Sequence, residues 1–452
     1  MLSKMSKHGP PNRRKMKLIK SALAATAAAA IISGCATHQT ESAFTPLFDG
    51  QSLNGWKLVG KHGDGYGVTN GAIYCAHGGG GNLMTEKQYS DFVFRFEFKL
   101  EYGSNNGIGI RAPLEGDSAY LGMEIQILEE AGALAGKYGE LRPAQFHGSV
   151  YDVIPAKMGA LKPAGEWNTE EITATGRQIK VVVNGIKVLD TNLNQVTDLE
   201  KIRKHPGLFS ERGHIGFLGH NDYVELRNIR IKELRHQEKD NVPPEGFVAL
   251  FNGKNLAGWK GLFKGPNDNP LKRAALSPEE RQAAQQSANE DMRAHWKVEN
   301  GEILFDGKGR SLCTMKDYAN FEMLVDWKLP AHGDSGIYLR GTPQVQIWDP
   351  HTQPTKHGSE VGSGAFYNNQ KNPSKPLKVA DKPIGEWNRF RIFMVGERAH
   401  VFLNGELVTR DTVLENFWKR AEPIFASGQI ELQNHGDVLA FKNIYIRELP
   451  AR

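Results

Sequence analysis

Along most of this chain apolar and polar residues alternate, the period-two signature of β-strands with one face buried. From Gly333 to Asp349, Ile337, Leu339, Val345 and Ile347 alternate with Tyr338, Arg340, Gln344 and Gln346. Two strands are predicted there, turning at Gly341-Thr342-Pro343 because Gly and Pro punctuate strands. Ile179–Val183 and Ile186–Leu189 flank Asn184-Gly185, and His400–Leu403 and Glu406–Val408 flank Asn404-Gly405. Each pair reads as a hairpin with an Asn-Gly turn.

The pattern occurs twice. Leu47-Phe48-Asp49-Gly50 through Gly55-Trp56 is answered by Leu250-Phe251-Asn252-Gly253 through Gly258-Trp259. Asn106-Gly107-Ile108-Gly109-Ile110-Arg111 is answered by Ser335 to Arg340, and Glu124-Ile125-Gln126-Ile127 by Gln344 to Ile347. Glu166-Trp167-Asn168 is answered by Glu386-Trp387-Asn388, and His220 by His435. So many echoes in one order indicate a duplicated domain rather than a short-period solenoid. About a dozen strands in roughly 190 residues per copy predict an all-β, two-sheet sandwich of jelly-roll type. The boundaries expected are a first sandwich over 45–236, a linker over 237–245 and a second sandwich over 246–452. The exception to β-structure is an insertion over 265–294. Ser277-Pro278-Glu279-Glu280 is a helix start there, with Ala283, Ala284, Ala288 and Met292 on one face. It serves as a lid or, by preference, a brace between the sandwiches.

Composition changes the picture mainly at the N-terminus. Of 452 residues 39% are hydrophobic and 24% charged, which is ordinary for a soluble globular chain. The net charge of +5 is concentrated in the first twenty residues, so charge makes no case for nucleic acid. Arg13, Arg14, Lys15, Lys17 and Lys20 precede an apolar run from Ala22 to Ile32, too short to span a bilayer. Ile32-Ser33-Gly34-Cys35 resembles a lipobox, so residues 1–35 are expected to be a lipoprotein signal peptide, Cys35 the lipid anchor and 36–44 a tether. The expected location is the cell envelope, periplasm-facing or on the outer membrane, with membrane contact through the lipid alone. Arg13-Arg14 hints at the twin-arginine route unless translation starts at Met16 rather than Met1 or Met5. Cys75 and Cys313 occupy non-equivalent positions and are expected to be free thiols.

Both copies resemble the 3-keto-disaccharide hydrolase domain family. The residues that carry the resemblance are Leu250-Phe251-Asn252-Gly253, Asp334 to Arg340, Gln344 to Asp349, Glu386-Trp387-Asn388 and Gly428 to Gly436. The first copy departs from the second, with Leu128-Glu129 where Trp348-Asp349 stand and Leu218-Gly219 where Gln433-Asn434 stand. The resemblance implies tandem concanavalin A-like (lectin/glucanase) sandwiches acting on oxidised oligosaccharides or glycosides, with a sugar 3-dehydrogenase upstream. In a 3-keto sugar the carbonyl acidifies the hydrogen on C2, so a base can start an elimination that expels the glycosidic oxygen from C1, and water adds afterwards. That chemistry needs a base of suitable pKa and an electrophile, an Arg or a metal.

His435 is the expected base or a metal ligand, unless His435-Gly436-Asp437 is only a tight turn. Asp349 joins it as a catalytic candidate. Arg340 could bind the keto oxygen or pair with Asp326 or Asp349. Asp334, Tyr338, Gln346, Glu431, Gln433 and Asn434 are expected to hold sugar hydroxyls, with Trp348 stacking on a ring or filling the core. Tyr367 and Asn368 sit in a loop that either closes over substrate or is plain surface; His351 and His357 read as surface. Arg111, Glu124, Gln126, Glu129 and His220 are the first-copy counterparts. No compact motif requires a metal, although His with carboxylates leaves a divalent ion open. Two other readings compete, a non-catalytic carbohydrate-binding protein and a conventional two-carboxylate glycosidase.

Overall fold

The Asn-Gly turns form as their chemistry demands. Asn184 and Gly185 have φ of +49° and +81°, and Asn404 and Gly405 +54° and +84°, the left-handed pair that a tight hairpin turn requires. They belong to a computed structural model that describes residues 44–60, 65–234, 239–355 and 358–450. Cys35, the signal segment and His357 lie outside the described residues.

From Pro46 onward the chain is one compact unit containing two β-sandwiches. In the first, the larger sheet runs Ile186–Asn192, Gln178–Val183, Trp167–Thr175, Phe92–Leu100, Val224–Glu233, Ala72–Cys75, Tyr66–Thr69. Its smaller sheet runs Trp56–Val59, Gly80–Thr85, His214–His220, Asn105–Ala112, Met123–Leu128. The second repeats this strand for strand; its smaller sheet is Trp259–Gly261, Leu312–Thr314, Glu431–Leu432, Asp334–Tyr338, Gln344–Trp348. All pairings within these sheets are antiparallel. The all-β tandem jelly-roll architecture read from the alternation is therefore the observed one.

The repeated motifs turn out to be scaffold. Trp56 Nε1 donates to the Leu47 carbonyl at 2.6 Å, and Trp259 Nε1 to the Leu250 carbonyl at 2.7 Å. Asn168 Oδ1 accepts from Lys162 N and Asn184 Nδ2, and Asn388 Oδ1 from Lys382 N and Asn404 Nδ2. Cys75 and Cys313 are buried and free, as expected.

Phe92, Phe94, Phe96 and Phe98 bury one face of their strand while the residues between them stay partly exposed. The matching strand, Phe321–Lys328, is buried on both faces, because its outer face meets the first sandwich. Phe209 stacks on Phe393 with centroids 4.8 Å apart, and Arg391 bonds Glu211 at 2.6 Å. Phe393, Val395, Phe402 and Leu449 pack into the first sandwich's core rather than their own.

The insertion departs from the brace expected of it. Its main helix, Pro278–His295, starts at Ser277 with a capping box as the sequence indicated. It packs on its own domain's smaller sheet, where Gln285 Nε2 donates to Gly261 O and Gly261 N to Asn289 Oδ1. Ala288 and Met292 are buried, Ala284 is partly covered and Ala283 is exposed. Short helices at Ser118–Leu121, Glu130–Leu134, Leu199–Lys204 and Pro270–Ala274 were not anticipated; none is long enough to show a helical period. Among the described residues no helix is long and apolar enough to cross a membrane.

Candidate functional site

Alternation places Asp334, Gly336 and Tyr338 on one face of the second sandwich's smaller sheet, beside Gln344, Gln346 and Trp348 on the next strand. Tyr338 pairs across the sheet with Glu431, so Glu431 and Gln433 continue the same face. This outer face is not solvated. Gln344, Gln346, Trp348 and Glu431 are all buried. Gly336 explains how the side chains fit, because a Cβ there would stand 3.0 Å from both the Gln344 amide carbon and Gln433 Oε1.

At one end a cleft of about 280 Å³ is lined by His332, Asp334, Trp348, Asp349, His435 and Asp437. His435 Nδ1 lies 3.3 Å from Asp334 Oδ2. Asp334 Oδ1 accepts from Gln346 Nε2 at 2.7 Å, and Gln346 Oε1 accepts from Gln344 Nε2 at 2.5 Å. A chain of hydrogen bonds thus fixes the carboxylate that faces the imidazole, and the imidazole itself is half exposed. Trp348, which lines the cleft with His435, meets the exposed Tyr367 edge to face at 5.1 Å. Asn368 stands beside Tyr367, its carbonyl bonded by Arg420 and its Oδ1 buried without a partner.

At the other end Gln429 donates to Glu431 Oε1 at 2.7 Å, and Arg273 from the insertion stands 3.9 Å away. Burial raises the Glu431 pKa; the Arg273 charge and the Gln429 hydrogen bond oppose it without cancelling it. Burial likewise keeps the Tyr338 hydroxyl protonated, and this hydroxyl accepts from Gln433 Nε2 at 3.3 Å. Gln344 Oε1 and Gln433 Oε1 are buried with no partner. An unmet buried acceptor costs about 1–3 kcal/mol, so these two amides lower the stability of this face.

Three sequence expectations are corrected by these contacts. Arg340 does not reach the cleft, nor does it pair with Asp326 or Asp349. It has φ of +55° and donates to Ala319 O, Phe425 O and Asn320 Oδ1. Arg111 makes the same clamp in the first sandwich, to Ser90 O, Gly176 O and Asp91 Oδ1. Asp349 lines the cleft but is committed to backbone amides of His332, His351 and Thr352. Burial pushes its pKa up, yet the bonds from Thr352, His332 and His351 hold it below the usual carboxylate range. Glu129 takes the three corresponding amides, Gly103, Ala131 and Gly132, so this carboxylate anchors loops in both copies. Asn434 is spent on Gly309 O, Ser311 Oγ and Gly436 N, shaping the turn that carries His435.

Sequence reading missed Arg273 and the central place of Gln344. Asn269-Pro270 is a cap-and-start signal that would have exposed the helix bearing Arg273. His351 is bonded to Asp381 O at the surface, as expected. Among the described residues no three His, Cys, Asp or Glu side chains are grouped to hold a metal ion, so no step is assigned to one. A cleft of about 940 Å³ lies between the sandwiches. Two of its arginines are ion-paired there, Arg111 with Asp91 and Arg391 with Glu211.

Comparison with known proteins fits this duplicated geometry. The 3-keto-alpha-glucoside-1,2-lyase-like domain family matches residues 43–232 and again 246–447. A 3-keto-disaccharide hydrolase of Bacteroides thetaiotaomicron is 28% identical over 273 residues, 48% of this chain and 85% of the relative. Among solved structures, a candidate glycosyl hydrolase of Parabacteroides distasonis aligns at 23% identity and TM-score 0.37, over 44% of this chain and 97% of its own. A carbohydrate-binding module of Bacillus subtilis aligns at 12% identity and TM-score 0.26, over 40% and 98%. With two matches that together span most of its length, the chain belongs to the 3-keto-alpha-glucoside-1,2-lyase-like domain family.

Proposed function

We propose that this protein cleaves the glycosidic bond of 3-keto-glycosides and that its second sandwich does so. The observation that carries the reading is the relay Gln344–Gln346–Asp334–His435 at the mouth of the 280 Å³ cleft. Asp334 facing Nδ1 favours the tautomer protonated there and leaves the Nε2 lone pair as base. Nε2 takes the C2 hydrogen, and the C–H electrons form an enolate with the C3 carbonyl. When the carbonyl re-forms, C1 and C2 become doubly bonded and the glycosidic oxygen leaves, taking a proton. Water then adds across the double bond for net hydrolysis, or the unsaturated sugar is released as a lyase product. Trp348, in the wall of the cleft, flanks the reacting ring.

The name of the Bacteroides relative and the family match support this substrate class. A two-carboxylate glycosidase is less well supported. Asp334 is four residues from Tyr338, which pairs with Glu431. At about 3.3 Å per residue the backbone positions of Asp334 and Tyr338 are roughly 13 Å apart, a wide spacing against the roughly 5–9.5 Å between carboxyl groups that such enzymes use. The keto group implies an oxidation at C3 upstream, by a sugar dehydrogenase. We also propose export and anchoring through Cys35.

The test is to give the purified full chain a 3-keto-disaccharide and its unoxidised parent. Cleavage of the keto sugar alone is expected. Comparable rates on both would establish a glycosidase, and binding without turnover a lectin.

A further inference from the structure

One turn is built alike in both sandwiches but carries a different residue at its tightest place. In the first, Ser104 N donates to Glu101 O at 3.0 Å, closing a four-residue turn whose third residue, Gly103, has φ of +70°. In the second, Gly333 N donates to Pro330 O at 3.1 Å, and the third residue is His332 at φ of +58°. Glycine takes this left-handed conformation freely, whereas a residue with a side chain takes it under strain. A carboxylate holds the amide in each copy, Glu129 Oε2 on Gly103 N at 2.9 Å and Asp349 Oδ2 on His332 N at 2.7 Å. The turn forms with glycine, so the imidazole of His332 is not there to make the turn.

The surroundings of the two turns differ as well. A Cβ on Gly103 would stand 2.7 Å from Lys137 Cδ. Lys137 Nζ and the Tyr138 hydroxyl each bond Gly103 O and Asp222, so these side chains lie across that end of the first sandwich's face. Asp437 stands where Asp222 does, and each accepts from the first amide of the adjoining strand, Asp334 or Asn105. Among the described residues Asp437 takes no bond from a lysine or tyrosine. The 280 Å³ cleft opens there instead, with His332 and His435 both in its wall. His332 is partly exposed, and among the described residues its ring nitrogens take no hydrogen bond and are not buried.

We infer that His332 is the catalytic acid of this cleft, giving a proton to the glycosidic oxygen as the C1–O bond breaks. The inference rests on the reading that the second sandwich cleaves 3-keto-glycosides. That elimination takes a proton from C2 and delivers one to the oxygen on C1, the neighbouring carbon, so two proton-transfer groups have to share one small space. His435 Nε2 takes the first. As the enolate oxygen re-forms the C3 carbonyl, the C2–C3 π pair becomes the C1–C2 π bond. The C1–O bond pair stays on the departing oxygen, which takes the proton of the His332 imidazolium. His435 ends protonated and His332 neutral. Addition of water resets both, since His332 takes a proton from the water that bonds to C1 and His435 returns its own to C2.

The experiment compares a 3-keto-disaccharide with 4-nitrophenyl 3-keto-glucoside, whose phenolate leaves without needing a proton, on the full chain. The variants are His332→Gly, which places in this turn the residue the first sandwich uses, His332→Asn and His435→Ala, with thermal melts to check folding. Both His332 variants should lower kcat on the disaccharide by about 10²–10⁴-fold and on the nitrophenyl glycoside by less than about tenfold. His435→Ala should slow both substrates alike, because the C2 proton must leave in either case. Equal losses on the two substrates for the His332 variants, or no loss on the disaccharide, would overturn the inference and leave cleavage of 3-keto-glycosides standing. A wild-type protein that cleaves neither keto substrate would overturn the proposed function and this inference together.

Discussion

His435 Nδ1 faces Asp334 Oδ2 at 3.3 Å, and the other oxygen of Asp334 is held by Gln346. Orientation therefore reaches the imidazole through a carboxylate that is itself fixed. His435→Ala should lower kcat on a 3-keto-disaccharide by about 10²–10⁴-fold, the usual contribution of a positioned base. Asp334→Asn should lose less, with KM little changed. A kcat within twofold of wild type for His435→Ala would remove it from the mechanism.

Arg340 should behave as scaffold. Its three acceptors are protein groups, two of them backbone carbonyls. Arg340→Ala should destabilise the fold by about 2–4 kcal/mol, since it strands buried partners and leaves a void. Denaturant melts read this directly. The surviving folded fraction should keep its KM, which a substrate-binding arginine would not allow.

Asp349 should show up in acid stability. Its folded pKa is depressed, so its contribution is fully present above the unfolded value of about 3.9 and is lost as pH falls through the folded value. Melting temperatures recorded from pH 6 to pH 2 should drop less steeply for Asp349→Asn than for wild type, from a lower starting point. Parallel curves would disprove the anchoring role.

Glu431 carries the opposite shift. Burial favours its protonated form, a donor to substrate at the end of the face remote from His435. Ionisation at higher pH removes that donor, so KM should rise with pH in wild type. Glu431→Gln should flatten this dependence while changing kcat by less than about threefold. A Glu431→Gln variant with normal KM but collapsed kcat would instead place the residue at the reacting bond.

Cys35→Ser should leave the protein unlipidated and free of the membrane fraction. Metabolic labelling with a fatty acid and fractionation read both, and a mutant that still sediments with membranes would refute the anchor.

The fold was legible because alternation, Asn-Gly turns and a long repeat all report on backbone geometry, which local sequence controls. The site was legible in part. His435, Asp334 and Gln346 came together because strand register converts period-two spacing into a shared face. Arg340 and Asp349 misled because recurrence in both copies marks a residue needed by the scaffold as readily as one needed by a substrate. Only the acceptors around each side chain separate the two, and those lie about twenty residues or more away along the chain for Arg340. Arg273 was hidden in an insertion whose five-residue helix has too few turns to show periodicity.

The placement of Phe393, Val395, Phe402 and Leu449 in the first sandwich's core has a consequence for how the protein comes apart. Neither sandwich can melt without uncovering apolar side chains of the other, together with the buried charges of Glu322 and Arg391. Calorimetry on the intact chain should therefore record one endotherm, and a second sandwich produced alone should aggregate through its bare Phe393–Phe402 surface.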